Sequence, residues 1–88
     1  MTMAYYKIEF KPRAIKQLKK LPTDIITKVS KKIDELAETP RPGNCKKLTD
    51  SAHSYRIRIG DYRVVYSIYD DHLVIQVIKI GHRKDIYK

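Results

Sequence analysis

Two runs of alternating side chains flank Gly60-Asp61, and that spacing constrains the fold more than any other stretch of the chain. A two-residue loop that includes glycine suits a tight β-hairpin. Closing the hairpin there sets Ile59 opposite Tyr62, Arg58 opposite Arg63, Ile57 opposite Val64, Arg56 opposite Val65 and Tyr55 opposite Tyr66. Side chains along a strand point to alternate faces. Tyr55, Ile57, Ile59, Tyr62, Val64, Tyr66 and Ile68 therefore form one apolar face, while Arg56, Arg58 and Arg63 share the other. A one-residue shift of the turn would change the Arg58–Arg63 pairing but leave the grouping within each strand intact.

The remaining elements are read around this hairpin. Residues 4–10, rich in aromatic and β-branched side chains, predict a first strand. Pro12 suits a helix start, and Ala14, Ile15, Leu18 and Leu21 recur at helical spacing with Lys16, Lys19 and Lys20 outside the stripe. Pro22 and Asp24 mark a second helix start, and its apolar face carries Ile25, Ile26, Val29, Ile33, Leu36 and Ala37. Thr39-Pro40-Arg41-Pro42-Gly43-Asn44 stops that helix, and residues 44–53 read as an irregular connection around Leu48. Strands are expected near 54–59, 62–69 and 72–80, with Asp70-Asp71 as a second two-residue turn and Gly81 ending the last strand. The order β-α-α-β-β-β defines an α+β domain, a single unit over residues 1–88. The helix pair is expected on one face of a predominantly antiparallel sheet, because neither layer buries its apolar side alone. The second face is left for function.

Arginines directly opposite each other repel, and a bound anion removes the penalty. Phosphate suits the guanidinium fork, which can contact two of its oxygens. The bland alternative is a solvated face on which the long stems diverge. The formal charge of +9, from 19 Lys+Arg against 10 Asp+Glu, fits a polyanion such as RNA or a ribonucleoprotein, though attraction to an acidic protein would also account for it. Lys46 and Lys47 either contact RNA or ribosomal RNA or keep a loop soluble. After Gly81 come His82 and Arg83; Arg83 and Tyr87 would return to the arginine face if the tail packs there. His82 is a further candidate for proton transfer near neutral pH, or an ordinary surface histidine. Tyr87 either stacks on an unpaired base or anchors the C-terminus.

RNA supplies its own nucleophile. Its 2′-hydroxyl can attack the adjacent phosphate, giving a 2′,3′-cyclic phosphate and a free 5′-hydroxyl, and arginines neutralise the developing charge. With few acid–base candidates present, alignment of the RNA by another macromolecule would supply much of the rate. Other chemistries find less support. His53, His72 and His82 lack zinc spacing, Cys45 is the sole cysteine, and Gly43, Gly60 and Gly81 stand apart rather than in a phosphate-binding loop. No metal ligand set and no cofactor are expected. One cysteine, no signal segment and no membrane-length apolar run point to the cytoplasm and away from membranes.

Leu48, Tyr55-Arg56-Ile57-Arg58, Gly60-Asp61-Tyr62-Arg63-Val64-Val65-Tyr66 and Gly81-His82-Arg83-Lys84-Asp85-Ile86-Tyr87 together carry a resemblance to the RelE/ParE superfamily of bacterial type II toxins, in its RelE branch. The resemblance runs from Tyr6-Lys7-Ile8-Glu9-Phe10 through Ile86-Tyr87. It implies a RelE-like fold and a ribosome-dependent mRNA interferase, an endoribonuclease that cleaves mRNA in the ribosomal A site without a metal and so inhibits translation. It implies that Arg56, Arg58, Arg63, Arg83 and Tyr87 carry the activity, with His82 as a possible helper. In the best-known member the central basic pair are lysines, one with a proton-transfer role; arginine at Arg58 keeps the charge but is a poor base. The implied partners are a RelB-like antitoxin, the ribosome and mRNA, with operator DNA reached through the antitoxin. A ParE-like gyrase inhibitor and an inactive, noncatalytic homologue share the same fold.

Overall fold

A computed structural model describes residues 5–49 and 51–86. Its elements are β1 (Lys7–Phe10), α1 (Pro12–Lys19), α2 (Thr23–Glu35), β2 (Cys45–Lys47), β3 (Ser54–Ile59), β4 (Tyr62–Tyr69) and β5 (Val74–His82). The five strands lie in the order β1-β5-β4-β3-β2. β1 runs parallel to β5, and every other neighbouring pair is antiparallel. The α+β architecture matches the sequence expectation, with one additional strand.

Local chemistry accounts for the helices. Pro12 starts α1 where its missing N–H costs nothing, and Lys16 and Lys19 sit in the last turn, where the carbonyl end of the dipole favours them. Pro22 is the N-cap of α2 rather than its first helical residue, and Asp24 occupies the first turn. Ala14 of α1 and Val29, Ile33 and the following Leu36 from α2 pack on Ile57, Ile59, Val64, Tyr66, Ile68, Ile75, Val77 and Ile80. Each buried Val, Leu or Ile among them contributes roughly 1.5–3 kcal/mol of transfer free energy. Ile15, placed on the apolar stripe by its spacing, is exposed.

Four local readings change. Residues 45–47 form a strand rather than irregular chain: Cys45 pairs with Ile57, Lys46 with Arg56 and Lys47 with Tyr55. Lysines on this short edge discourage pairing with another chain. β5 runs past Gly81 to His82, because Gly81 pairs with Arg63 and His82 with Tyr62. A bulge between Val65 and Tyr66 sets Val65 opposite Lys79 and Tyr66 opposite Val77, so the buried positions of β5 step from Val77 to Ile80. The second turn spans Asp70 to Leu73 rather than two residues, and Leu73 takes a left-handed φ of 54°.

β1 pairs with β5 only as far as Val77. Beyond it, the backbone N–H of Ile80 donates to Oε1 of Gln17 at 2.8 Å, so α1 supplies the acceptor that β1 no longer reaches. Gln17→Leu removes that acceptor from a half-buried donor and is expected to lower stability by about 1–2 kcal/mol, read as a lower urea midpoint at constant slope.

At the end of the sheet away from Gly60-Asp61, Arg41 clasps three segments. Its guanidinium donates to both carboxylate oxygens of Asp70 (3.3 and 2.7 Å) and to Tyr55 Oη (3.1 Å). The Tyr6 hydroxyl donates to the same carboxylate at 2.6 Å. Arg41 and Tyr6 hold Asp70 below the ordinary carboxylate range. Nearby, the fully buried Tyr66 donates its hydroxyl to the Pro40 carbonyl at 2.8 Å. Burial, then the neighbouring Cys45 thiol, pushes its ionisation above the ordinary 10.0. A raised folded-state value gives stability that is whole below the unfolded value and lost as pH rises past it. Stability is therefore expected to fall above about pH 10. Tyr66→Phe should give a lower plateau, from the lost hydrogen bond, but a shallower alkaline decline when unfolding is followed against pH.

Candidate nucleic-acid interface

The hairpin register is the one expected from sequence: Arg58 opposes Arg63, and Arg56 opposes Val65. The unforeseen β2 extends the cationic surface, because Lys46 opposes Arg56. Across the sheet, Lys46, Arg56, Val65 and Lys79 make one row, and Arg58, Arg63 and Gly81 make the next. Ile57, Ile59, Val64 and Ile80 alternate with them and are buried on the opposite face, under the helices. Asn44, Lys46, Arg56, Arg58 and Arg63 line a cleft of about 350 Å³ on the helix-free side.

The Gly60-Asp61 turn organises two of the arginines. Gly60 adopts φ 59°, a conformation that costs glycine little and other residues more. One guanidinium nitrogen of Arg63 donates to the carbonyls of Gly60 and Tyr62, both at 2.9 Å, which folds the side chain back over the turn. Arg83 donates its backbone N–H to the Asp61 carbonyl at 2.7 Å, and its Nε lies 3.8 Å from Asp61 Oδ1. Arg63 and Arg83 are thus fastened to the same two-residue loop.

The tail folds back beside them. The N–H groups of Asp85 and Ile86 donate to the His82 carbonyl, at 2.8 and 3.0 Å. Lys79 Nζ donates to the Ile86 carbonyl at 2.8 Å. A Cβ on Gly81 would meet Ile86 at 3.7 Å, so Ile86 lies close over the glycine at the end of the arginine row. Tyr87 lies outside the described residues.

Two sequence candidates are not brought into the cluster. His82 pairs with Tyr62, whose ring it meets edge-on at 5.5 Å, and Tyr62 alternates with Arg63. The imidazole therefore belongs to the helix-side face, the reverse of the arginines. Its Nδ1 accepts from the Lys84 N–H at 3.2 Å, which leaves Nε2 to carry the proton of the neutral ring. Lys47, opposite Tyr55, likewise alternates away from Lys46 and lines a separate hollow with Leu48, Thr49, Ser51 and Ala52. Conversely, Asn44 and Asp61 were not singled out from sequence. Asn44 sits just before β2, and its Nδ2 donates to the Arg58 carbonyl at 2.9 Å, continuing the pairing one position beyond Cys45. Only the turn-like Gly43-Asn44 pair hinted at it. Among the described residues, no three His, Cys, Asp or Glu side chains gather where they could hold a metal, and no helix is long and apolar enough to cross a membrane.

Residues 8–87 match the family described as ParE toxin of type II toxin-antitoxin system, parDE. The chain is 34% identical over 84 residues to the mRNA interferase toxin RelE of Escherichia coli, which covers 93% of this chain and 86% of that one. The chain belongs to the RelE/ParE superfamily of type II toxins. Solved structures place the toxin beside RelE members. It superposes with a TM-score of 0.82 and 29% identity on a chain of the archaeal RelE-RelB complex from Pyrococcus horikoshii, covering 92% of this chain and 98% of that one. A chain of the toxin-antitoxin complex RelBE2 from Mycobacterium tuberculosis gives 0.81 and 30%, with 96% and 98% covered. The toxin thus shares its fold with proteins that have been solved bound to antitoxins.

Proposed function

We propose that this toxin is a ribosome-dependent mRNA interferase, and that its cationic cleft holds the phosphate at which the message is cut. The observation that carries this reading is the convergence of Lys46, Arg56, Arg58 and Arg63 on one cleft. Arg83 is fastened to the turn that also holds Arg63. The 2′-hydroxyl gives its proton to water as its oxygen attacks the adjacent phosphorus, and the bond to the 5′-oxygen breaks as that oxygen takes a proton from water. The products are a 2′,3′-cyclic phosphate and a 5′-hydroxyl. Guanidinium groups stay protonated, so they stabilise charge on the phosphoryl oxygens and do not take the nucleophile's proton. The ribosome contributes the alignment that an acid–base-poor cleft does not, and orientation of this kind can lower a barrier by roughly 7–11 kcal/mol. Tyr87 is assigned to stacking on a base of the message. His82, on the far face, supports the strand end rather than the chemistry.

A RelB-like antitoxin is the proposed regulator, by analogy with the complexes of the structural relatives. Operator DNA would be bound through that antitoxin. The test is to map RNA 5′ ends after brief expression of the wild type and Arg83→Ala. Breaks confined to translated frames and lost in the variant are expected; undisturbed messages with a folded toxin would refute the reading. The ParE description of the matching family supports a second one, inhibition of DNA gyrase. Gyrase inhibition that survives Arg83→Ala, with messages intact, would select it.

A further inference from the structure

Five residues line the cleft, and four of them, Lys46, Arg56, Arg58 and Arg63, carry hydrogen-bond donors and no acceptor. The fifth is Asn44. Its amide orientation is set by chemistry: the group within 2.9 Å of the Arg58 carbonyl must be the NH₂, since a carbonyl accepts and does not donate. Oδ1 is therefore the end left over. An RNA strand presents two kinds of polar group along its backbone, phosphate oxygens that accept and ribose 2′-hydroxyls that donate as well. Four cations match the first kind. The cations can also donate to a 2′-oxygen, but Asn44 is the one lining side chain that can accept the 2′-hydroxyl proton. We infer that Asn44 Oδ1 accepts a hydrogen bond from a ribose 2′-hydroxyl, which makes it the residue by which the cleft distinguishes RNA from DNA.

The inference rests on the proposal that the cleft binds a message, and adds what the arginines cannot provide. Phosphate contacts hold a strand in register but do not separate ribose from deoxyribose, whose phosphates are alike. Asn44 is held in two ways that favour such a role. Its donor end is fixed on the strand that bears Arg58, so its acceptor moves with the arginine row. It also stands at the rim shared with the helix-side hollow lined by Leu36, Pro42, Ile57 and Ile59. Asn44 is a binding residue, and nothing here gives it the nucleophile's proton, since an amide oxygen is too weak a base.

The test is fluorescence anisotropy of the purified toxin with three labelled single strands of one sequence: RNA, DNA and fully 2′-fluoro RNA. The 2′-fluoro strand keeps a ribose-like substituent but removes the donor. The wild type is expected to bind RNA about threefold to tenfold more tightly than the 2′-fluoro strand, the size of one net hydrogen bond. Asn44→Ala should reduce that ratio to about one. Arg63→Ala should weaken all three strands alike and keep the ratio. A wild type without preference, or an Asn44→Ala variant that retains it, overturns the inference while Arg63-dependent binding upholds the cleft. Equal weakening of RNA and 2′-fluoro RNA in Asn44→Ala, with the preference intact, would reassign the contact to a base and also overturns it. Binding indifferent to Arg63 would remove the cleft reading itself, and this inference with it.

Discussion

Arg58→Gln is expected to lower mRNA cleavage by translating ribosomes about 100-fold while leaving the toxin as stable as before, or slightly more so. Arg58 directly opposes Arg63, is exposed, and donates no side-chain hydrogen bond to the described residues. Like charges directly opposite on a sheet destabilise it by roughly 0.2–1 kcal/mol, toward the lower end where water screens them. Removing one of them relieves the free protein. In the complex the same removal leaves developing phosphoryl charge with one fork fewer. Stability and activity should therefore move in opposite directions, which a merely structural residue would not show. Arg58→Lys keeps the charge without the fork and should fall between. Added phosphate should raise the melting temperature of the wild type more than that of Arg58→Gln, because only the wild type has the full site. Arg63 is a less clean probe, since it also holds the carbonyls of Gly60 and Tyr62. Wild-type cleavage by a folded Arg58→Gln protein would remove Arg58 from the site.

The hairpin was legible because two local signals agreed. Alternation set the faces, and Gly60-Asp61 set the register, down to the Arg58–Arg63 pair. β2 was not legible because Cys45-Lys46-Lys47 has little strand character of its own; β3 gives it a partner, and only pairing makes it a strand. The same gap hid the place of Lys46 in the cleft and the separation of Lys47 from it. The face that His82 takes was not legible for a related reason. A strand taken to end before Gly81 leaves the following residues free to turn anywhere, whereas a strand that runs through His82 forces alternation on them. The bulge opposite Val65 and Tyr66 interrupts that alternation further down β5, and no glycine marks it. Asn44, Asp61 and the Arg41–Asp70 clasp depend on contacts made by the finished fold. Arg41 and Asp70 are 29 residues apart, and no local pattern joins them.

Raising salt from about 50 mM to about 200 mM is expected to weaken binding of single-stranded RNA by the isolated toxin about 50-fold. Four cations line the cleft. Each phosphate neutralised on a single strand contributes about −0.7 to the slope of log affinity against log salt, so a strand that lays the cut phosphate and its neighbours one against each cation gives a slope near −3. The size of that slope separates three pictures. If the whole surplus of +9 bound RNA without a defined site, the slope would approach about −6 and the loss would exceed about a thousandfold. If base stacking alone held the strand, salt would matter little. A cleft-centred site lies between, and it makes a demand that the others do not. Arg58→Gln should make the slope shallower by about 0.7, whereas Lys28→Gln on the exposed side of α2 should leave it unchanged. Equal effects from the two variants would mean that the charge of the protein acts as a diffuse field. An effect of Arg58 alone would mean that the phosphates sit where the hairpin brings its arginines together.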